Sequence, residues 1–338
     1  MRLVFIRLDH LGDILLCTPM IRTLAEAGHE IEVVIPAALL QVFANSPFVK
    51  RVHAIEELCP EFPSRWWRLG RWISKSRFEG VLVPHGRDPG VLLASMWSRA
   101  NVRIAMWGGW LGRVTGHRCL RSGLLQQPRH FSEIMMDIAR EFGVKPGGPV
   151  RPDLFPSQST VESVANLVSN RIGTCKLIGV HPGSLGNACN MPSGAYARII
   201  ERLLERDDVV VVVTGTLHEG GLVSTWSPAI IKHPRFWNSM GKLGIHELAV
   251  LVKHMAVYVV PSTGPLHVAA WAGTKTVSPF CASPSLSPVV WGNVNGNGVD
   301  LTPPETYCTR MRHAQKGHCD FGGQVTADMI FEKVCDVL

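Results

Sequence analysis

Polar stretches stand where apolar runs stop, and their residue types suit chemistry on an anionic substrate. The stretch HLGD at 10–13 follows RLVFIRL and places Asp13 beside Gly12 at the mouth of a helical pattern. Gly12 suits a tight strand-to-helix turn. Asp13 can cap the helix start by accepting from its amides, or take a proton from an incoming hydroxyl as a general base. A dinucleotide cradle fits less well, because there is no GxGxxG and a carboxylate repels phosphates. A second stretch, HPGSLGNACNMP at 181–192, follows KLIGV; Gly183 and Ser184 offer amides and a hydroxyl that cradle an anion or simply make a turn. In VVTGTLHEGG at 212–221, Glu219 follows a strand end, either to accept from ribose hydroxyls or as a solvated surface residue. PSTGPLHVAAWAG at 261–273 carries the strongest signal. Ser262, Thr263 and Gly264 form a small polar turn, and Pro265 suits a first helical position. Unpaired amides there, with the helix dipole behind them, favour a phosphate. His267 can donate to the same anion, or be a histidine satisfied in the core. His85 and Arg87, in VLVPHGRDPG, end an N-terminal strand and are candidate acceptor contacts.

The elements that must position these loops alternate. RLVFIRL, EIEVVIP, GVLVP, CKLIGVHPG, DVVVVVTG and VYVVPSTG read as strands; LLCTPMIRTLAEAG, YARIIERLLERD and IHELAVLVKHM carry apolar residues at helical spacing. Gly28 and Asp207-Asp208 are plausible stops. Apolar strands joined by helices argue for an α/β fold with parallel sheets covered on both faces. At 338 residues two domains are expected. KPGGPVRPDLFPSQST reads as the linker between two doubly wound halves that face a cleft, with ligands at the carboxyl ends of strands. The expected domains are 1–155 and 172–322, with 323–338 a helix packing back on the first.

Charged residues make up 18% of the chain and hydrophobic ones 46%, an enzyme-like balance. A net charge of +7 indicates anionic company: phosphates, a membrane surface or nucleic acid. The nine cysteines include no CxxC, which argues for reduced thiols rather than a disulfide framework or zinc ribbon. Cys308, His313, His318 and Cys319 lie close in sequence but match no metal-ligand spacing. No secretory signal is visible, and apolar runs fall short of a membrane span, so a cytoplasmic place is expected. FPSRWWRLGRWISKSRF at 62–78 interleaves three tryptophans with five cations. It suits an anionic lipid interface, or is an amphipathic helix with its tryptophans in the core. No nucleic-acid recognition motif accompanies it.

Taken together, RLDHLGDILLCTPMIRTL, VHPGS, VTGTLHE and PSTGPLHVAAWAG resemble glycosyltransferase family 9, the ADP-heptose:lipopolysaccharide heptosyltransferases, over roughly residues 1–290. The resemblance implies two Rossmann-like domains in the B-type arrangement, the acceptor on the first and the sugar nucleotide on the second. It implies that Asp13, after Gly12, is the catalytic base, and that Gly183 and Ser184 meet the diphosphate. Glu219 would hold the ribose, Leu243 would meet adenine through its backbone, and Ser262, Thr263, Gly264 and His267 would form the phosphate turn. Where the family carries a lysine facing the diphosphate, this chain has ACNMP, with Cys189 nearest. A neutral thiol cannot replace an ammonium, which leaves Arg198 or Lys242 to take over, or a donor held differently. Ser262 replaces an aspartate frequent in the family.

The function implied is inverting sugar transfer from a nucleotide donor, with no metal and no cofactor, heptose from ADP-heptose onto a lipopolysaccharide core being the leading expectation. The protein would sit at the cytoplasmic face of the inner membrane and meet an anionic glycan or glycolipid. A protein, capsular glycan or small natural-product acceptor, or a catalytically silent nucleotide-binding protein, are the alternatives. A nicotinamide-dependent oxidoreductase is disfavoured by the missing glycine fingerprint.

Overall fold

Among the described residues, twelve strands form two all-parallel sheets of six. The structure, a computed structural model, describes the chain except residues 60–63, 86–87, 121–127, 146, 149, 185, 187 and 312–318. It divides into two compact units, Met1–Phe155 and Pro156–Leu338. The division falls inside the Pro/Gly/Ser-rich stretch.

In the first unit, β1 (Arg2–Ile6), β2 (Glu30–Ile35), β3 (Arg51–Ala54), β4 (Gly80–Val83), β5 (Val102–Met106) and β6 (Arg118–Leu120) run in the order β3-β2-β1-β4-β5-β6. β1 pairs with β2 on one side and β4 on the other, with Phe5 opposite Val33 and Leu82. Its residues Leu3 to Ile6 are buried because both sheet faces carry helices, which is why the central strands are continuous apolar runs. The pattern expected as one helix from Leu15 to Gly28 is two, Leu11–Leu15 and Thr18–Glu26, broken at Leu16 and Cys17 with Pro19 in the first turn of the second. Gly28, at φ +86°, makes the stop. Asp153 closes this unit, its amide donating to Thr18 Oγ1 at 2.7 Å and its carboxylate pairing with Arg22.

In the second unit, β7 (Lys176–Val180), β8 (Val209–Val213), β9 (Phe236–Asn238), β10 (Val257–Val259), β11 (Thr276–Pro279) and β12 (Gly298–Leu301) run in the order β12-β11-β10-β7-β8-β9. Counted from its own first strand, this sheet repeats the order of the first, the doubly wound 3-2-1-4-5-6. The Gln158–Ile172 helix, part of which falls in the expected linker, packs on the Ile245–Lys253 helix of this unit. The last helix, Ala327–Val337, for which packing on the N-terminal domain is the sequence expectation, packs on the Ser193–Leu204 helix and on β10 and β11 of its own unit. Its Ile330 and Val334 are fully buried in a core shared with Ile199, Leu203 and Phe321. Among the described residues, no helix is long and apolar enough to cross a membrane.

Candidate active site

Strand order reverses between β1 and β4 in the first unit and between β7 and β10 in the second. Crevices open at the carboxyl ends of such strand pairs, because successive connections leave them on opposite faces. The polar stretches that follow β1, β4, β7 and β10 spring from these points.

In the first unit, β1 runs into Arg7, whose side chain is only 3% exposed. Its Nη2 donates to Asp13 Oδ1 at 2.8 Å, its Nε faces Asp9 Oδ2 at 3.1 Å, and its guanidinium lies 5.2 Å from the centre of the Phe131 ring. Asp13 is the third residue of the Leu11–Leu15 helix. The N-cap is His10, and no side chain caps that end, so Asp13 does not serve as the cap. Gly12 is buried inside this helix and is not among the positive-φ residues, so the turn does not use glycine's conformational freedom. From the end of β4, His85 Nδ1 meets Asp9 at 3.0 Å. Burial pushes the Asp9 carboxyl up, but the hydrogen bond with His85 and the charge of Arg7 outweigh it and hold it below the usual range. Arg87 lies outside the described residues. The arrangement is a chain, Asp13 to Arg7 to Asp9 to His85, whose Asp13 carboxylate is able to accept a proton from a hydroxyl.

In the second unit, β7 ends in His181. Its Nδ1 meets Thr214 Oγ1 at 3.0 Å, and Thr214 Oγ1 meets the Tyr258 hydroxyl at 2.6 Å. This buried chain ties the ends of β7, β8 and β10 together, and burial pushes the His181 imidazole down to about 4. The loop beyond carries Gly183 and Ser184, braced by Asn190 Nδ2 donating to Pro182 O at 2.7 Å. Glu219 turns inward rather than into solvent: it is 9% exposed, and its Oε2 accepts from the Thr216 amide and hydroxyl at 2.8 and 2.9 Å. Its Oε1 lies against Gly183, where an added Cβ would stand 1.8 Å away. Leu243 is half-buried in the loop between β9 and the Ile245–Lys253 helix, which Glu247 caps through the Gly244 amide. Beyond β10, Thr263 is the N-cap of the Gly264–Ala272 helix, with extended φ −136° and ψ 175°. Its hydroxyl donates back to Pro261 O at 3.3 Å, and no side chain caps the helix. The amide end is therefore left to backbone partners, water or a ligand, the arrangement that favours an anion. Ser262 is half-buried beside it, and His267, 3% exposed, sits in the same helix with its ring 6.5 Å from that of Trp291.

Residues 150–317 match glycosyltransferase family 9 (heptosyltransferase). The chain is a glycosyltransferase similar to family 9. A Haemophilus influenzae protein named "Putative glycosyltransferase" is 25% identical to the enzyme over 311 residues, 87% of this chain and 86% of that one. The fold is shared with a Veillonella parvula family 9 glycosyltransferase (TM-score 0.80, 18% identity, 99% of this chain and 96% of that one). It is also shared with the Escherichia coli ADP-heptose lipopolysaccharide heptosyltransferase II (TM-score 0.76, 16% identity, 100% and 98%).

Neither cation considered as a substitute for the family lysine stands ready in the glycosyltransferase. Arg198 pairs with Asp328 at 3.1 Å, and Lys242 Nζ donates to Asn238 O at 2.9 Å. Cys189 meets the thiols of Cys281 and Cys319, and these contacts together with burial push its own thiol far up, so it stays neutral. Cys281 and Cys308 lie 3.7 Å apart, sulfur to sulfur. Among the described residues no three His, Cys, Asp or Glu side chains form a group that could hold a metal ion. His313 and His318 lie outside them. Sequence reasoning missed Arg7, Asp9 and the His181–Thr214–Tyr258 chain. Arg7 and Asp9 carried a signal: in extended backbone, residues two apart share a side.

Proposed function

We propose that the enzyme moves heptose from ADP-heptose to a hydroxyl of a lipopolysaccharide-core-type acceptor, with inversion and without a metal. Asp13 takes the proton of the attacking hydroxyl. The acceptor oxygen bonds to the anomeric carbon, the bond from that carbon to the diphosphate breaks, and its electron pair leaves with ADP. The observation that carries this reading is the Asp13 carboxylate beyond β1, supported on a buried guanidinium and not spent on capping. On the donor side, the uncapped start of the Gly264–Ala272 helix, with Ser262, Thr263 and His267 about it, suits the departing diphosphate. Gly183 and Ser184 meet the same diphosphate, the inward Glu219 receives the ribose hydroxyls, and the backbone at Leu243 meets the adenine. Gly12, His85 and Arg87 contact the acceptor, and His85 comes already oriented by Asp9. No Asp-x-Asp pair occurs in these loops, so the leaving group's charge falls to amides and His267. The donor family is supported by the heptosyltransferases that share the fold; the acceptor class is supported by the same likeness. The place of action is the cytoplasmic face of the inner membrane.

Transfer assays with Asp13→Asn test the reading: the rate should fall roughly 10²- to 10⁴-fold with the fold intact. Near-normal turnover would overturn it. A thermal-shift comparison of ADP-, UDP-, GDP- and CDP-sugars tests the donor, since the ligand that binds raises the melting temperature by mass action. A shift with another nucleotide and none with ADP would refute the ADP donor.

A further inference from the structure

Residues 62–78 and 89–132 contain no Asp or Glu and carry eleven Arg and Lys, while the rest of the chain is net acidic. The whole of the chain's positive excess therefore arises in these two stretches. They supply the helices that connect β3 to β4, β4 to β5 and β5 to β6: Arg65–Ser76, Pro89–Ser95 and Gly109–Val114. Right-handed crossovers that step the same way across a parallel sheet lie on one face of it, so the three helices share a face.

The first two are in intimate contact because glycines stand where they touch. A Cβ on Gly70 would come within 3.0 Å of Ala94 O, and one on Gly90 within 2.1 Å of the Trp66 ring. Trp66 and Trp72 point inward and pack against the core. Trp67 points outward, 50% exposed, and meets Trp97 edge to face at 6.2 Å. Around them Leu93 (48%), Met96 (44%), Trp97 (47%), Trp110 (76%) and Val114 (69%) are exposed as well. Arg68, Arg71, Arg99 and Arg113 are exposed among them, Arg71 lying over the Trp67 ring at 5.4 Å. Of the acids bordering these stretches, Glu79 accepts from the Arg2 amide and Asp88 caps its helix, accepting from the Gly90 and Val91 amides; Arg118 and Arg129 pair with Glu141 and Asp137.

We infer that this three-helix face docks the enzyme on an anionic lipid bilayer, its tryptophans seated at the headgroup level and its arginines on lipid phosphates. Exposed tryptophan with Leu, Met and Val suits the interface between headgroups and acyl chains, where an aromatic ring is wetted on one side only. Arg68, Arg71, Arg99 and Arg113, which make no ion pair among the described residues, suit a negative leaflet. A protein partner of opposite charge would satisfy the cations, but would leave unexplained why tryptophan and aliphatic side chains stand exposed together among them. The biological purpose rests on the glycolipid reading above; the binding does not.

The test is sedimentation of the intact protein with vesicles of phosphatidylcholine alone and of phosphatidylcholine mixed with phosphatidylglycerol. Binding is expected to the anionic vesicles, weakening as salt rises. Each cation near such a surface is worth roughly a five-fold factor in affinity, so Arg68→Gln with Arg71→Gln should cost roughly 25-fold. Trp67→Ser with Trp97→Ser and Trp110→Ser should abolish binding. Should that variant misfold, Trp110→Ser alone, at the most exposed tryptophan, should still weaken it. Transfer to a soluble acceptor fragment should be unchanged by the arginine pair, whereas Asp13→Asn abolishes transfer and leaves vesicle binding intact. Equal binding to neutral vesicles, preference for nucleic acid over lipid, or dimerisation that buries Trp67 and Trp97 would overturn the inference.

Discussion

Replacing Gly183 with alanine isolates one contact in the loop that follows β7. The residue is not in the left-handed region, so an alanine is open to its backbone, and the atoms nearest the new methyl are those of the Glu219 carboxylate, 1.8 Å away at Oε1 and 2.2 Å at Cδ. A free glutamate end would swing aside at little cost. This one is fastened by the Thr216 amide and hydroxyl, so moving it sacrifices two hydrogen bonds to a charged group. Such bonds contribute roughly 1.5–3 kcal/mol each, and partial recovery by water leaves a net cost of about 2–3 kcal/mol. At about 2–4 °C per kcal/mol, the melting temperature should fall by about 4–12 °C. If Glu219 also holds the ribose, ADP affinity measured by calorimetry should fall roughly ten- to a hundredfold. The decisive arm is the same change made in a Glu219→Ala background. There the carboxylate clash is gone, and Gly→Ala, by restricting the unfolded chain, should be neutral or stabilise by about 0.4–1 kcal/mol. The sign of the effect therefore reverses between the two backgrounds. If Gly183→Ala costs the same with and without Glu219, the glycine serves the loop's own conformation and the reasoning above is wrong.

Other expectations follow from the same geometry. Arg7→Met removes the guanidinium that Asp13 and Asp9 share; the transfer rate should fall, and an unchanged rate would show that Arg7 only packs. His117, 5% exposed between Ser95 and Thr115, is pushed down to about 4 by burial and the nearby Arg103 charge. The unfolded chain takes up a proton near 6.5 that the folded one refuses, so stability should be full above that pH and decline by up to about 3 kcal/mol as pH falls towards 4. Denaturant titrations of His117→Gln, flatter over that window, check this. Burial raises Asp300 to about 6. Here the folded state holds the proton more tightly, so stability should fall as pH rises from about 4 to 6, and Asp300→Asn should remove that decline in melting temperature measured against pH.

Much of the architecture was legible because buried parallel strands must be continuously apolar. β1, β2, β4, β7, β8 and β10 announce themselves that way. β3 (RVHA), β6 (RCL) and β9 (FWN) do not: they are short and lie at sheet edges, partly exposed, so their sequences are free to be polar. The loops at the strand ends were legible for the same reason, since polarity there interrupts an apolar rhythm. What each side chain does was not. Whether Asp13 caps or reacts depends on Arg7, and a basic residue at a strand end reads as solvated until packing shows Phe131 beside it. The inward turn of Glu219 depends on Gly183, 36 residues earlier, which no local pattern reveals. The tryptophans of residues 62–78 resolve both ways, Trp66 and Trp72 into the core and Trp67 out of it.

The closing helix of the second unit also bears on how the chain is born. Residues 1–155 contain every strand of their own sheet, so that unit can assemble while synthesis continues. Pro156–Leu338 cannot seal its interior until Ile330 and Val334 have emerged, because they plug the space beside Ile199 and Leu203. A nascent chain stalled in the preceding loop would present that greasy seam to chaperones, and a nonsense codon there would sacrifice the second unit while sparing the one that carries Asp13.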